Sequence, residues 1–450
     1  MKKAVRKIVA LVLLLVALSG CGQILSIDEL YSLPQPQPEF LQLQELIYKQ
    51  IEVGSEYAAP TVGSRRQTIQ LRDLNGDGVP EALAFLRDQK LNPTICIYQN
   101  IEGEYSLVST IKGEGASIGR IEYADLNGDG FEEIIVSWAM STNLMVANAY
   151  SLKDWSSSLW FTENCTDFAV GNIDDDGRPE VVLLSFDEEG GAVKAFSADD
   201  EGEISKTSAS VSTSLEKADR FRISAINGST GEIPAVFVEG HYTESDEESS
   251  RTVYLSDIFV IKDSKLVNIT LDPATRNSSA KRDYEVYAFN IDNDASLEIP
   301  FTEKAYEQTN VSAQYYIFDW FDYDESGQKS YAMSTYHSYI DGWYFDLPGE
   351  WHEGFAVRRG SEQSGMRSMV LSQVDAGGAI TDLLTIYSLT GENREYKAEQ
   401  DGRFILLSNK TTIYAARFNS IPEDAVTDEQ RDAMIGRFHL IYSEWNSGAI

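Results

Sequence analysis

The stretch Asp73-Leu-Asn75-Gly-Asp77-Gly-Val-Pro-Glu81 decides how the rest of the chain is read, because it recurs. It returns as Asp125-Leu-Asn127-Gly-Asp129-Gly-Phe-Glu-Glu133, then as Asn172-Ile-Asp174-Asp-Asp176-Gly-Arg-Pro-Glu180 and Asn290-Ile-Asp292-Asn-Asp294-Ala-Ser-Leu-Glu298. Oxygen-bearing side chains stand at positions 1, 3, 5 and 9 of every copy. That spacing lets a tightly turning backbone aim several oxygens at one point, and Gly76 and Gly78 permit the positive-φ turns it needs. Hard oxygen donors with no His or Cys suit Ca²⁺ rather than Zn²⁺ or copper. A single such segment also serves as a plain hairpin turn with its carboxylates in water. Four copies, each with an acid restored at position 9, favour a bound ion, although the last has lost its position-6 glycine to Ala295.

An EF-hand loop begins in the same way but needs a bidentate Glu at position 12 and a helix on each side. Position 12 here is Ala84, Val136, Leu183 and Phe301. The flanks, such as Thr68-Ile-Gln-Leu71, Glu133-Ile-Ile-Val136 and Glu180-Val-Val-Leu-Leu184, are short runs rich in β-formers, so each loop joins two strands.

The first three loops start at 73, 125 and 172, intervals of 52 and 47. A further step of that size reaches Ala225-Ile-Asn227-Gly-Ser-Thr-Gly-Glu232, the same phrase with its acids worn away and its ion expected lost. The longer interval to 290 accommodates the acidic insertion Glu244-Ser-Asp-Glu-Glu-Ser-Ser250. Each unit has room for four strands: in the first, Thr68–Leu71, Ala82–Leu86, Thr94–Tyr98 and Tyr105–Ile111. Four strands per repeat of about 40–50 residues is the pattern of a propeller blade. The expected fold is therefore mainly β: a β-propeller of about five recognisable units over 57–338.

These repeats resemble the FG-GAP/VCBS class of integrin-type β-propellers. The resemblance implies calcium in the hairpin between the first two strands of a blade. By position, the ligands would be Asp73, Asn75, Asp77 and Glu81; Asp125, Asn127, Asp129 and Glu133; Asn172, Asp174, Asp176 and Glu180; and Asn290, Asp292, Asp294 and Glu298. About three or four structural Ca²⁺ ions are expected. The Phe-Gly…Gly-Ala-Pro phrase of the family is absent, and five units are fewer than its usual seven. A small ring, degenerate terminal blades or an open array all fit.

The N-terminus carries Lys2, Lys3, Arg6 and Lys7, then the apolar stretch Ile8 to Leu18 and Leu18-Ser-Gly-Cys21. This looks like the signal peptide and lipobox of bacterial lipoproteins, which implies cleavage after residue 20 and diacylglyceryl attachment to Cys21. Two acyl chains on one Cys give stable anchoring. The expected location is the bacterial cell envelope, on the outer face of the cytoplasmic membrane, or in an outer membrane if the source has one. Residues 21–38, with Leu33-Pro-Gln-Pro-Gln-Pro38, read as an extended tether, and 39–56 as an amphipathic helix.

Near Tyr339 the repeats stop. Strand-like runs at Arg367–Gln373, Leu383–Leu389, Arg403–Ser408 and Thr412–Phe418 follow. A capping box at Thr427-Asp-Glu-Gln430 then predicts a helix to about Trp445. Residues 339–450 are expected to form a separate α+β domain, whose Tyr-x-x-x-Leu-Pro-x-x-Trp opening is loosely similar to domains of the PsbP/Mog1 type.

The formal charge of −34, from 71 acidic and 37 basic residues, excludes nucleic acid as a partner, because no basic stripe exists to displace counterions. Cys96 and Cys165 read as buried small hydrophobes. The four His (His241, His337, His352 and His439) show no metal spacing, and no catalytic residue is nominated. The favoured function is a membrane-anchored binding, adhesion or scaffold module with a protein or polysaccharide ligand. The alternative is an extracellular carbohydrate-active or other hydrolytic enzyme built on the same scaffold. A two-lobed solute-binding protein is disfavoured, since strands and helices do not alternate.

Overall fold

A computed structural model describes residues 38–142, 144–188, 190–245, 249–306 and 315–441. The signal segment, Cys21 and the Pro-rich tether up to residue 37 lie outside the described residues.

Among the described residues the apolar runs form six antiparallel sheets in sequence order, each with four or five strands. The second and third sheets are plain four-stranded meanders, such as Ser117–Ala124, Glu133–Ala139, Met145–Ser151 and Ser158–Cys165. The protein is thus mainly β and of the propeller class, built from consecutive blades.

The second strand of a blade reads as a continuous apolar run because both of its faces are buried. In Glu180–Asp187, Val181 and Leu183 pack towards the second sheet with Phe168 and Cys165. Val182 and Leu184 pack the other way, with Val236, Val238 and Leu255 of the fourth sheet. Clusters of this kind link each sheet to the next.

Among the described residues, no apolar cluster joins the first sheet to the sixth. Helix α1 (Pro38–Glu52) instead covers the outer face of the first sheet, placing Leu43 and Ile47 on Ala82, Ala84, Cys96 and Tyr98. On the sixth sheet, Ala398 of the short helix α3 (Arg394–Ala398) meets Tyr387, Leu389 and Ala415; helix α2, Gly349–His352, precedes it in the chain. Cys96 and Cys165 are both buried and free.

Three features differ from the sequence reading. Trp343–Asp346, expected to open a separate domain, pairs with Lys329–Ser338 as the fourth strand of the fifth sheet. The boundary at 338/339 therefore falls inside a blade. The helix expected to reach Trp445 is α4 (Asp428–Ile435), begun by the Thr427/Gln430 capping box. Gly436 caps its end, and Phe438–Leu440 then adds a fifth strand beside Trp343–Asp346, burying Phe438 against Trp343 and Tyr414. A C-terminal strand thus completes a blade begun about 140 residues earlier in the chain. Finally, residues 355–418 form a sixth five-stranded sheet that shares a core with the fifth, through Trp343, Phe345, Leu371 and Leu384.

Candidate metal centres

Each recurring loop is held by the same three devices. The first is an apolar plug at position 2: Leu74, Leu126, Ile173 and Ile291 are all buried. The second is the position-9 glutamate, which starts the following strand in the first three blades, with register pairs Arg72↔Glu81, Ala124↔Glu133 and Gly171↔Glu180. In the fifth unit the first strand is reduced to the bridge Phe289↔Glu298. The third device is a turn through positive φ, at Gly76 and Gly78 in the first loop and at Asp175 and Gly177 in the third. Ala295 adopts φ 83° and so keeps the turn without glycine.

The four glutamates are almost wholly buried, at 0–2% exposure. One oxygen of each accepts the backbone N–H of the position-2 residue: Leu74 to Glu81 at 3.0 Å, Leu126 to Glu133 at 2.9 Å, and Ile173 to Glu180 and Ile291 to Glu298 at 2.8 Å. In Glu81, Glu133 and Glu298 the other oxygen is poorly provided for. Among the described residues, Glu81 Oε1, Glu133 Oε1 and Asp73 Oδ1 are buried without a hydrogen-bond partner, and Glu298 Oε1 accepts from the Ser296 hydroxyl at 3.1 Å. Burial, and then the loop aspartates, push Glu81, Glu133 and Glu180 up to about 7 and Glu298 to about 8. A buried carboxylate facing further carboxylates is an arrangement that a divalent cation relieves.

The structure brings Asp174, Asp176 and Glu180 together in the third loop, and Asp292, Asp294 and Glu298 in the fifth, with one oxygen of each within 4.8 Å of the others. In the first two loops position 3 is an amide, and the three acids of each, Asp73, Asp77 and Glu81 or Asp125, Asp129 and Glu133, are not gathered within that distance. Asn75 Oδ1 accepts from Asp77 N–H at 3.1 Å and Asn127 Oδ1 from Asp129 N–H at 3.2 Å. Position 1 braces the turn: Asp73 and Asp125 accept from Gly78 and Gly130, and Asn172 accepts from Asp175 N–H at 2.7 Å. In the fifth loop Asn290 accepts from Asp294 N–H at 3.1 Å. These internal bonds are those of an acidic turn and do not by themselves require an ion. The oxygens left unpaired on buried Glu81 and Glu133 are not explained by them. An all-oxygen set of this kind fits Ca²⁺.

The fourth unit has closed into a tight hairpin, with Asn227↔Glu232 and Gly228↔Gly231 paired. Its turn leans on the next loop, where Asn227 Nδ2 donates to Asp294 Oδ2 at 3.3 Å.

One residue at the fifth loop escaped the sequence reading. Asp322 lies across the sheet from Glu298, because Ile299 pairs with Phe321. Its Oδ1 is buried and, among the described residues, unpartnered, and burial with Asp294 and Asp292 raises its pKa. The acid-aromatic alternation Trp320-Phe-Asp322-Tyr was the available signal, but the register was needed to use it.

The aromatic run 315–323 divides between two roles. Phe318, Trp320 and Tyr323 are core. Tyr315 and Tyr316 join Tyr284, Tyr339, Arg359 and Arg367 around a cavity of about 490 Å³ between the fifth and sixth sheets.

No protein-family model matches this chain, and no curated protein does. Solved structures align loosely, and two of them illustrate the likeness. One is the β-propeller domain of the Trilobed protease from Pyrococcus furiosus, with an open velcro topology: 11% identity, 73% of this chain and 93% of that one, TM-score 0.27. The other is a 6-phosphogluconolactonase-like protein from Bacteroides fragilis: 11% identity, 73% and 92% coverage, TM-score 0.25. At those scores the assignment of blades rests on the sheets themselves.

Proposed function

We propose that this chain is a lipid-anchored, extracytoplasmic binding or scaffold protein whose blades are braced by Ca²⁺ in four loops. The observation that carries the calcium reading is the buried position-9 glutamate, present in all four loops and oriented by one backbone N–H, and gathered with two loop aspartates in the third and fifth. Ligands would be Asp73, Asn75, Asp77 and Glu81 in the first loop and Asp125, Asn127, Asp129 and Glu133 in the second. Asn172, Asp174, Asp176 and Glu180 would serve in the third, and Asn290, Asp292, Asp294 and Glu298, with Asp322, in the fifth.

The ion's role here is structural. It offsets repulsion among carboxylates and pins each hairpin against the next. Neighbouring loops already touch: Glu132 N–H donates to Leu74 O at 2.7 Å, and Arg72 pairs with Glu132. Because the unfolded chain has no preformed site, the binding free energy adds to stability. Anchoring through Cys21 follows from the lipobox resemblance, and the tyrosine-lined cavity supports a binding role.

The test has two arms. Chelation should lower the melting temperature of the mature chain, and Ca²⁺ should restore it; an unchanged melt removes the calcium reading. Cys21→Ser should release the protein from the membrane fraction; retention there removes the lipid anchor.

A further inference from the structure

We propose that Glu303, Asp319 and His352 form a separate site for a first-row divalent cation of the Zn²⁺ type. The three residues come from elements far apart in sequence: strand Ile299–Lys304, strand Tyr316–Tyr323 and the end of α2. The register Phe301↔Asp319 and Glu303↔Ile317 places the two carboxylates diagonally on one face of the fifth sheet. His352 reaches over both, with Nε2 at 2.9 Å from Asp319 Oδ1 and 3.8 Å from Glu303 Oε2. All three donor atoms lie within 4.8 Å of one another. Donors about 2.0–2.2 Å from a tetrahedral ion stand roughly 3.4 Å apart, so a small closure of this triangle suffices.

Two further observations point to a cation. Among the described residues neither carboxylate pairs with a Lys or Arg, and the His352 imidazole is the one partner they share. Asp319 is also held from behind: Ser334 Oγ donates to Asp319 Oδ1, and Tyr331 Oη lies 2.8 Å from Ser334 Oγ. A ligand carboxylate fixed by a hydroxyl chain is the usual outer-shell device of metal centres. Asp319 is largely buried while Glu303 is open to solvent, which leaves access and room for water ligands.

The donor chemistry sets this site apart from the loops. An imidazole nitrogen with two carboxylates suits Zn²⁺ and its neighbours, whereas Ca²⁺ prefers oxygen alone. A neutral imidazole with its proton on Nδ1 presents the Nε2 lone pair to the metal beside the Asp319 carboxylate.

The experiment is titration of Zn²⁺ into the mature chain at saturating Ca²⁺, which occupies oxygen-only sites and keeps the two ions' stoichiometries apart. Wild type should take up one equivalent of Zn²⁺, and Co²⁺ in its place should give the visible absorption of a low-coordinate ion. His352→Ala and Asp319→Asn should each lose that equivalent with Ca²⁺ uptake and the calcium-loaded melt unchanged. Ser334→Ala should weaken Zn²⁺ by about tenfold or more. His241 and His439, which also contact aspartates, provide the control pair, since His241→Ala and His439→Ala should leave Zn²⁺ uptake intact. No Zn²⁺ uptake by wild type, or uptake that survives His352→Ala, overturns the proposal and leaves the calcium reading untouched.

Discussion

Glu81→Gln should change the stability of the protein in opposite directions with and without calcium. Glu81 is fully buried, accepts the Leu74 N–H through Oε2 and leaves Oε1 without a hydrogen-bond partner among the described residues. Burial, then those two aspartates, raise its pKa from 4.5 to about 7. A folded-state pKa above the unfolded value means that the protonated side chain favours folding. That contribution is complete below about pH 4.5 and is lost as pH rises through about 7. At pH 8 in chelator the ionised carboxylate therefore costs up to about 3 kcal/mol, less whatever the exposed loop recovers by relaxing. Glutamine keeps an acceptor for Leu74 N–H and removes the charge, so the variant should be about 1–3 kcal/mol more stable than wild type in that buffer. In saturating Ca²⁺ the sign reverses. The variant lacks one anionic ligand and loses about 2.7 kcal/mol for each hundredfold fall in affinity. Thermal melts at pH 8 in chelator and in calcium give the comparison. Hydrogen exchange over Glu81–Arg87 localises it, because a stack of blades can open one unit at a time. A variant destabilised equally in both buffers would refute the reasoning.

Other outcomes follow from neighbouring features. Glu239 is fully buried and accepts from Arg282, Ser256 and the Ala288 N–H; Glu239→Ala strands the buried Arg282 and should cost about 3–5 kcal/mol in urea unfolding. The double change Glu239→Met with Arg282→Met should cost clearly less than Glu239→Ala. Ala295→Gly relieves a non-glycine residue at φ 83° and should raise stability by up to about 1 kcal/mol, read from melts in chelator. Burial holds His337 down at about 3, so the unfolded chain binds the extra proton as pH falls. Its contribution is intact above the ordinary histidine range and declines by about 1.4 kcal/mol per pH unit between about 6.5 and 3. His337→Gln should flatten that part of a stability–pH curve measured against wild type.

Much of the blade pattern is legible in the sequence because it is local. Alternation and turn chemistry place strands such as Ile69–Arg72 and Glu81–Arg87 within a residue or two, and the recurring phrase fixes the hairpin between them. The worn fourth phrase does close into a tight turn. What the sequence conceals is pairing across long separations. Trp343–Asp346 reads as the start of something new because its loop phrase is gone, yet its edge completes the fifth blade and receives Phe438–Leu440. Asp322 is one acid among many until the Ile299↔Phe321 register sets it opposite Glu298. His352, Glu303 and Asp319 have no spacing to detect, since three separate elements bring them together. For the loop residues, sequence supplies the donor set and the structure adds the burial of the position-9 glutamates, which no residue count reveals.

The most direct test of the calcium account is calorimetric titration of Ca²⁺ into the chelator-treated mature chain, with Glu81→Gln, Glu133→Gln, Glu180→Gln and Glu298→Gln measured alongside. The account predicts four ions in wild type, three in each variant, and none recovered at the collapsed turn near Asn227. A chain that takes up no calcium, or whose stoichiometry ignores all four substitutions, would show the loops to be acidic turns and nothing more.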